Sequence, residues 1–275
     1  MSQDQRRSAS TAPSKDWSAT QYLKFGNERT RAVHDLVAQL PLGSPARIID
    51  LGCGPGNSTS VLTARFPDAN TSGVDSSPDM LSKARQTLPG VSFEQSDLTT
   101  YEPEPGADLL FSNAVFHWLR RAQRIPTVVR LLRTQKPGGV LAFQVPDNHD
   151  EPSHRAMRET AASGPWKASF EALADRPDLD PTEAPGEYYN ALIPHCTTVN
   201  IWHTLYHHVL SGPGDIVEWV KGTGLQPFVN AVPEGELRDG YLRAYQERVA
   251  ELYPALADGK VMLTYPRLFV VCVRK

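Results

Sequence analysis

Apolar and polar positions follow two periods along this chain, and they take turns. Ile48, Ile49 and Leu51 form a short, β-branched apolar run of the kind a buried parallel strand shows. Asn70–Asp75, which ends in an acid, Val91–Gln95, Ala107–Asn113 and Val140–Val145 read as four further short strands. Between them the spacing turns helical: Val61, Leu62 and Ala64 or Arg65, then Met80, Leu81 and Ala84 behind Pro78, then Thr127–Arg133. Ahead of the first strand, Asp16–Gln39 carries Trp17, Tyr22 and Phe25, followed by an amphipathic helix with Val33, Leu36, Val37 and Leu40 on one face. Those aromatics either fold over a cleft or pack on a sheet edge. Strand–helix alternation through Val145 predicts an α/β fold with a doubly wound, mostly parallel sheet.

Then the rhythm breaks. Pro146–Pro194 is rich in Pro, Glu and Ala with helical patches, too long for a simple crossover. Thr198–Leu210 alternates as a long strand, Asp215–Lys221 and Glu234–Leu252 are helical, and Arg267–Val273 is a last strand. The expected organisation is one domain over residues 16–275, with cap inserts at about 146–196 and 211–264 and a disordered polar tail at 1–15.

Composition narrows the classes of function. Over 275 residues, Lys+Arg 28 against Asp+Glu 31 leaves a net charge of −3, which argues against a nucleic-acid binder held by phosphate neutralisation. No run approaches the ~18 apolar residues of a membrane span. Cys53, Cys196 and Cys272 are scattered and odd in number, so a reducing, cytoplasmic setting is expected rather than a disulfide framework. His203, His207 and His208 invite a metal reading, but His203 and His207 lie too far apart on a strand face for one tetrahedral ion. No metal is expected, and these three read as solvated strand histidines.

The chemistry gathers where the first strand ends, at Asp50-Leu51-Gly52-Cys53-Gly54-Pro55-Gly56-Asn57. Glycines here allow positive φ and close approach of a ligand, and Asn57, Ser58 and Thr59 offer caps for the next helix. Asn57 stands where a dinucleotide fingerprint needs its third glycine, and a phosphate loop's lysine is missing. A ligand with an amino-acid end and a nucleoside end fits better. Asp75, about 25 residues after Asp50, is placed to accept ribose hydroxyl protons. Asp97 can accept from an adenine amino group with Leu98 against the ring, or can simply cap a turn. Ser112-Asn113-Ala114-Val115-Phe116-His117-Trp118 ends the fourth strand and should face the same cleft.

The D-L-G-C-G-P-G stretch resembles the first motif of class I S-adenosylmethionine-dependent methyltransferases. A narrower resemblance rests on Tyr22-Leu23-Lys24-Phe25 with Glu28-Arg29-Thr30-Arg31, Asp75-Ser76-Ser77-Pro78, Gln144-Val145-Pro146-Asp147-Asn148, Glu151-Pro152-Ser153-His154 and Tyr265-Pro266-Arg267-Leu268-Phe269. From about Asp16 to Val273 the chain is similar to the trans-aconitate methyltransferases, which esterify one carboxylate of that acid. The resemblance implies a Rossmann-like, seven-stranded sheet closed by an antiparallel pair, with a helical cap. It implies S-adenosyl-L-methionine as cofactor, S-adenosyl-L-homocysteine as product and a tricarboxylate as substrate; neither nucleic acid nor membrane is expected as partner, and the oligomeric state is left open, with a monomer slightly favoured. The implied cofactor set is Arg29, Asp50, Gly52, Gly54, Asn57, Asp75, Ser76, Met80, Asp97, Leu98 and Asn113. Arg29 is the candidate for the cofactor's own carboxylate, or else a surface partner of Glu28 or Asp35.

A carboxylate with a reference pKa near ~4 reaches the site ionised, so no catalytic base is expected and alignment carries the reaction. Holding a trianion despite the negative net charge calls for local Arg, His or Tyr donors. Arg267 with Tyr265 heads that set, its alternative being a strand-end surface arginine. His117 and Trp118 follow, with His117 departing from the glutamine of bacterial members. Tyr22, His154 and Tyr188 complete it, the last two with exposed-turn or packing roles as alternatives. Other acids, isoprenoid or fatty, and a silent cofactor-binding module are the competing readings.

Overall fold

The structure is a computed structural model and describes residues 25–275. Trp17, Tyr22 and the expected tail fall outside the described residues. Helix α1 (Gly26–Ala38) leads into β1 (Arg47–Leu51), α2 (Asn57–Arg65), β2 (Asn70–Asp75), α3 (Pro78–Thr87), β3 (Ser92–Gln95), β4 (Leu109–Asn113), α4 (Arg121–Arg133) and β5 (Val140–Pro146). Then come α5 (Pro152–Ala161), α6 (Lys167–Glu171), α7 (Pro185–Leu192) and β6 (Cys196–Leu210). The described chain closes with α8 (Pro213–Lys221), α9 (Gln226–Ala231), α10 (Glu236–Leu252) and β7 (Val261–Arg274).

The strands form one seven-stranded sheet in the order β3-β2-β1-β4-β5-β7-β6. β1 to β5 pair in parallel, and β7 runs antiparallel to β5 and β6. Period-two alternation sorts the core. Ile48, Leu109, Phe111, Ala142 and Phe269 face α1, α2 and the helices around β6 and β7, whereas Ile49, Leu110, Leu141, Phe143 and Leu268 face α4 and α7. Burial on both faces explains why these strands read as continuous apolar runs.

Several boundaries differ from the sequence expectation, each for a local reason. α4 begins at Arg121, ahead of Pro126, rather than at Thr127. The proline removes one N–H, but the first turn is held from outside: Arg121 N donates to Asp180 Oδ2 at 2.8 Å, and Arg124 Nε donates to Leu119 O at 2.8 Å. On α2 the inward residues are Ser58, Thr59 and Leu62, with Ala64 and Arg65 exposed. β7 starts at Val261, so Arg267 sits in mid-strand rather than at its start. Pro266 is tolerated there because its carbonyl, accepting from Asp147 N at 2.9 Å, points towards the end of β5. Its missing N–H shares that direction and interrupts no bond to β6.

The inserts divide between the two faces. Ala156, Met157 and Ala161 of α5 pack with Ile216 and Trp219 of α8 and with Tyr241 and Tyr245 of α10. Tyr188 and Leu192 of α7 instead join the core under α4. The first insert thus sends α7 to the opposite side of the sheet from α5, α8 and α10.

Candidate active site

The glycine turn after β1 is stitched to β2 by backbone, with Gly52 N and Cys53 N donating to Val74 O at 2.7 and 2.9 Å. Gly52 holds φ +72, and a Cβ there would fall 2.3 Å from Val115 Cγ2. Only glycine fits. Asp75 closes the turn, because its Oδ2 accepts from Gly54 N at 2.8 Å and its Oδ1 from Ser77 N at 2.9 Å. Ser77 then caps α3, its Oγ accepting from Met80 N at 3.2 Å.

These elements meet at a cavity of about 330 Å³ beyond the C-terminal ends of β1, β2 and β4, where the strand order reverses. That size and place suit a small-molecule site. Gly52, Gly54, Asn57, Asp75, Ser76 and Met80 form one wall, with Asp97, Leu98 and Asn113 beside them. Asp97 also caps its own turn, Thr99 N and Thr99 Oγ1 both donating to its Oδ1 at 2.8 Å. The turn-cap reading of that residue is thus realised, and the residue also lines the cavity.

The other wall carries the cationic and aromatic candidates: Arg29, His117, Trp118, His154, Tyr265 and Arg267 all line the same cavity. Arg29 is buried rather than a surface residue. Its Nη2 donates to Trp219 O at 3.0 Å, and its guanidinium lies 5.3 Å from the Trp219 ring. Asp35, the alternative partner of Arg29, accepts from Tyr206 OH at 2.6 Å. Arg267 is 4% exposed, and its guanidinium lies 4.9 Å from the Tyr265 ring and 5.9 Å from the Tyr206 ring. The surface-arginine alternative for Arg267 falls with that burial.

Burial holds the site histidines neutral. His117 lies well below the ordinary histidine range, from burial first and then from the charges of Arg124 and Arg267. Its Nδ1 is buried without a hydrogen-bond partner among the described residues. His154 falls to about 3 by burial, with Arg158 adding to the shift, and its Nδ1 lies 3.2 Å from Ser153 Oγ.

Three expectations need correction. Asp50 is fully buried and does not line the cavity. Ser58 Oγ and Thr59 Oγ1 both donate to its Oδ2 at 2.7 Å, so those hydroxyls organise the turn from behind instead of capping α2, whose N-cap is Gly56. Burial raises the Asp50 carboxyl to about 6 against those two bonds. Tyr188 also stays out of the cavity, because α7 carries it to the opposite core, where its hydroxyl donates to Glu183 Oε2 at 2.9 Å. His208 is not solvated: it is buried 4.6 Å from Trp219, and burial followed by the Arg267 charge brings it down to about 4.

Other lining residues escaped the sequence reading. Trp219 sits in a segment legible only as an amphipathic helix, and Gly222-Thr223-Gly224 follows it into the cavity wall. The glycine pair after a helix was a usable signal. Among the described residues no group of three or more His, Cys, Asp or Glu is arranged to hold a metal, and no helix is long and apolar enough to cross a membrane.

Comparison with known proteins gives the same grouping. Residues 48–139 match a family described as a methyltransferase domain. The YcgJ protein from Bacillus subtilis superposes with a TM-score of 0.56 at 10% identity, covering 89% of this chain and 98% of that one, which supports the fold. In sequence, the chain is 51% identical over 259 residues to the trans-aconitate 2-methyltransferase of Rhodopseudomonas palustris strain BisB18, covering 94% of this chain and 99% of the relative. It is 48% identical over 258 residues to the protein of the same name from Rhizobium etli, with the same two coverages. With identity of that order over nearly the whole length, the chain belongs to the trans-aconitate 2-methyltransferase family.

Proposed function

We propose that this protein is an S-adenosylmethionine-dependent carboxyl O-methyltransferase that forms a monomethyl ester of trans-aconitate, working in the cytoplasm. One observation carries the reading: a buried arginine, Arg267, opens into the same cavity as the glycine turn and Asp75. A cofactor wall and a site for a carboxylate anion thus share one space. Relatives about half identical over nearly the full chain bear the name of that activity.

The residues fit the cofactor by their chemistry. Asp75 ends β2 where ribose hydroxyls can donate, and Asp97 with Leu98 suits an adenine edge and face. Arg29 offers a fork of donors to the amino-acid carboxylate, and Gly54, with open space where a Cβ would stand, lets that end approach the backbone. When bound, S-adenosyl-L-methionine supplies the methyl group and leaves as S-adenosyl-L-homocysteine. The protein's part is placement. The substrate carboxylates arrive ionised at neutral pH, so no residue need remove a proton. Arg267 holds a carboxylate that is not the one methylated, since a strong grip on the attacking oxygens would blunt their nucleophilicity. Neutral His117 and His154 offer single hydrogen bonds without further charge. Trp118, Leu119 and Trp219 exclude water from the reacting space, where oriented reactants gain ~7–11 kcal/mol. Three free, buried cysteines are compatible with a reducing compartment.

Incubation with labelled cofactor and a panel of mono-, di- and tricarboxylic acids, read by mass spectrometry, tests the proposal. A monomethyl ester forming on trans-aconitate in preference to monocarboxylic acids is expected. Esterification of isoprenoid or fatty acids alone would transfer the protein to that class.

A further inference from the structure

We infer that Gln144 is a positioning residue whose amide, oriented by Arg267, fixes Asn113 with its NH2 group facing the cavity, so that the substrate-anchoring arginine and the cofactor-facing asparagine are set as one unit. The inference rests on the reading of the cavity just given.

Gln144 is fully buried on β5, between Asn113 on β4 and the β7 segment that carries Arg267, and it does not itself line the cavity. Arg267 Nη1 donates to Gln144 Oε1 at 3.1 Å, and Gln144 Nε2 donates to Asn113 Oδ1 at 2.6 Å. The direction of this relay is forced. A guanidinium has donors and no acceptor, so the oxygen of Gln144 must face Arg267. Its NH2 must then face β4, which turns the oxygen of Asn113 inward and leaves the Asn113 NH2 as the group on the cavity side. The main chain reinforces this, since Ala114 N donates to Gln144 O at 2.9 Å while Ala114 takes φ 57, the one positive φ outside glycine among the described residues. The main-chain carbonyl of Gln144 therefore holds the exit of β4, while its side-chain amide hands the polarity of Arg267 across the sheet.

Charge-changing variants of near-equal shape separate this role from simple packing. Gln144→Glu keeps an acceptor towards Arg267 but offers only acceptors to Asn113, so the Asn113 amide must turn and present its oxygen to the cavity. Asn113→Asp presents an oxygen there directly. Each is expected to weaken S-adenosyl-L-homocysteine binding about tenfold by calorimetry, the scale of one hydrogen bond exchanged for a repulsion. In an Asn113→Ala background, Gln144→Glu should change that affinity less than twofold. Arg267→Lys retains a donor towards Gln144 and should leave cofactor affinity within twofold. With trans-aconitate, Gln144→Glu should also raise KM, because its carboxylate pairs with Arg267 and competes with the substrate anion for that charge, so the relay is read from the cofactor affinity. Should the Gln144→Glu chain not fold, Gln144→Met in the wild-type and Asn113→Ala backgrounds gives the same comparison. Equal losses in both backgrounds, or no loss in the wild-type background, would overturn the relay. If wild-type binds S-adenosyl-L-homocysteine and shows the coupling but esterifies no tricarboxylate, the relay stands and the substrate assignment falls. If wild-type does not bind it, both fall.

Discussion

Arg267→Lys probes the substrate assignment most directly. The side chain is 4% exposed, lies over Tyr265 and Tyr206, and is fixed in plane by Gln144. A bidentate hold on a carboxylate consists of two charge-assisted hydrogen bonds at ~1.5–3 kcal/mol each. Lysine keeps the charge and restores one of them from a different point in space. The expected loss is therefore one such bond, about 1.5–3 kcal/mol, or roughly 10–150-fold in kcat/KM for trans-aconitate. KM should rise, and kcat should fall with it, because the anchored group also sets the direction of attack. A monocarboxylic acid lacks the anchored group, so whatever turnover it shows should hardly change. Steady-state kinetics on both substrates decide the matter. Equal losses for the two, or none for the tricarboxylate, would refute the assignment.

Asp75→Ala should weaken cofactor binding by ~1–3 kcal/mol in calorimetry, since it removes the ribose acceptor and frees Gly54 N and Ser77 N from their partner; unchanged affinity in a folded variant removes the ribose role. Gly52→Ala sets a Cβ 2.3 Å from Val115 Cγ2 at φ +72, so it should destabilise the fold in chemical denaturation. Val115→Ala should recover the clash but not the ~1–2 kcal/mol of left-handed backbone strain, and a Gly52→Ala chain of normal stability would contradict the packing. His154 at about 3, His208 at about 4 and the lowered His117 bind fewer protons folded than unfolded below pH ~6.5. Stability should therefore drop on acidification from pH ~6.5 towards 4, by up to about 1.4 kcal/mol per pH unit for each histidine. Asp50, raised to about 6, opposes them with a single proton, and a flat or rising profile on acidification would refute the neutral histidines.

How much of this was legible in the sequence depended on how local each cause was. β2 was bounded at Asn70 and Asp75 from composition alone, because a buried strand, a terminal acid and a proline-opened helix are signals carried within a few residues. Most residues that line the cavity beside the glycine turn could be named for the same reason. The failures share another origin. The sequence reading started a helix at Thr127 and the last strand at Arg267, directly after Pro126 and Pro266, yet both prolines lie inside the elements that form. Asp50 was misplaced by one layer, since whether a strand-end carboxylate faces a ligand or the hydroxyls of the following helix depends on backbone direction. Tyr188 was lost because nothing in its own segment shows that α7 crosses to the far face of the sheet. Gln144 was visible as part of a motif, but its partners are 31 and 123 residues away, and only the register of β4, β5 and β7 brings them together.

The net charge of −3 and a trianionic substrate are reconciled by how buried arginines are held. Arg124 shows one arrangement: its Nη1 lies 3.4 Å from Glu183 Oε2, and its other donors go to the carbonyls of His117, Leu119, Asp180 and Pro181. Its charge is spent on an ion pair and its fork on stapling the cavity loop to the 180–183 segment. Arg267 shows the other. A neutral amide and two tyrosine faces are among the groups that fix its plane, and the side chain lines the cavity. Its charge is felt by its neighbours, since it helps to keep His117 and His208 neutral. Two buried arginines, Arg29 and Arg267, thus line one cavity, where local charge counts for more than the sum of surface charges. Arg124, locked away in its ion pair, contributes to the fold, whereas Arg267, buried yet lining the cavity, stands where an anion arriving from outside can meet it.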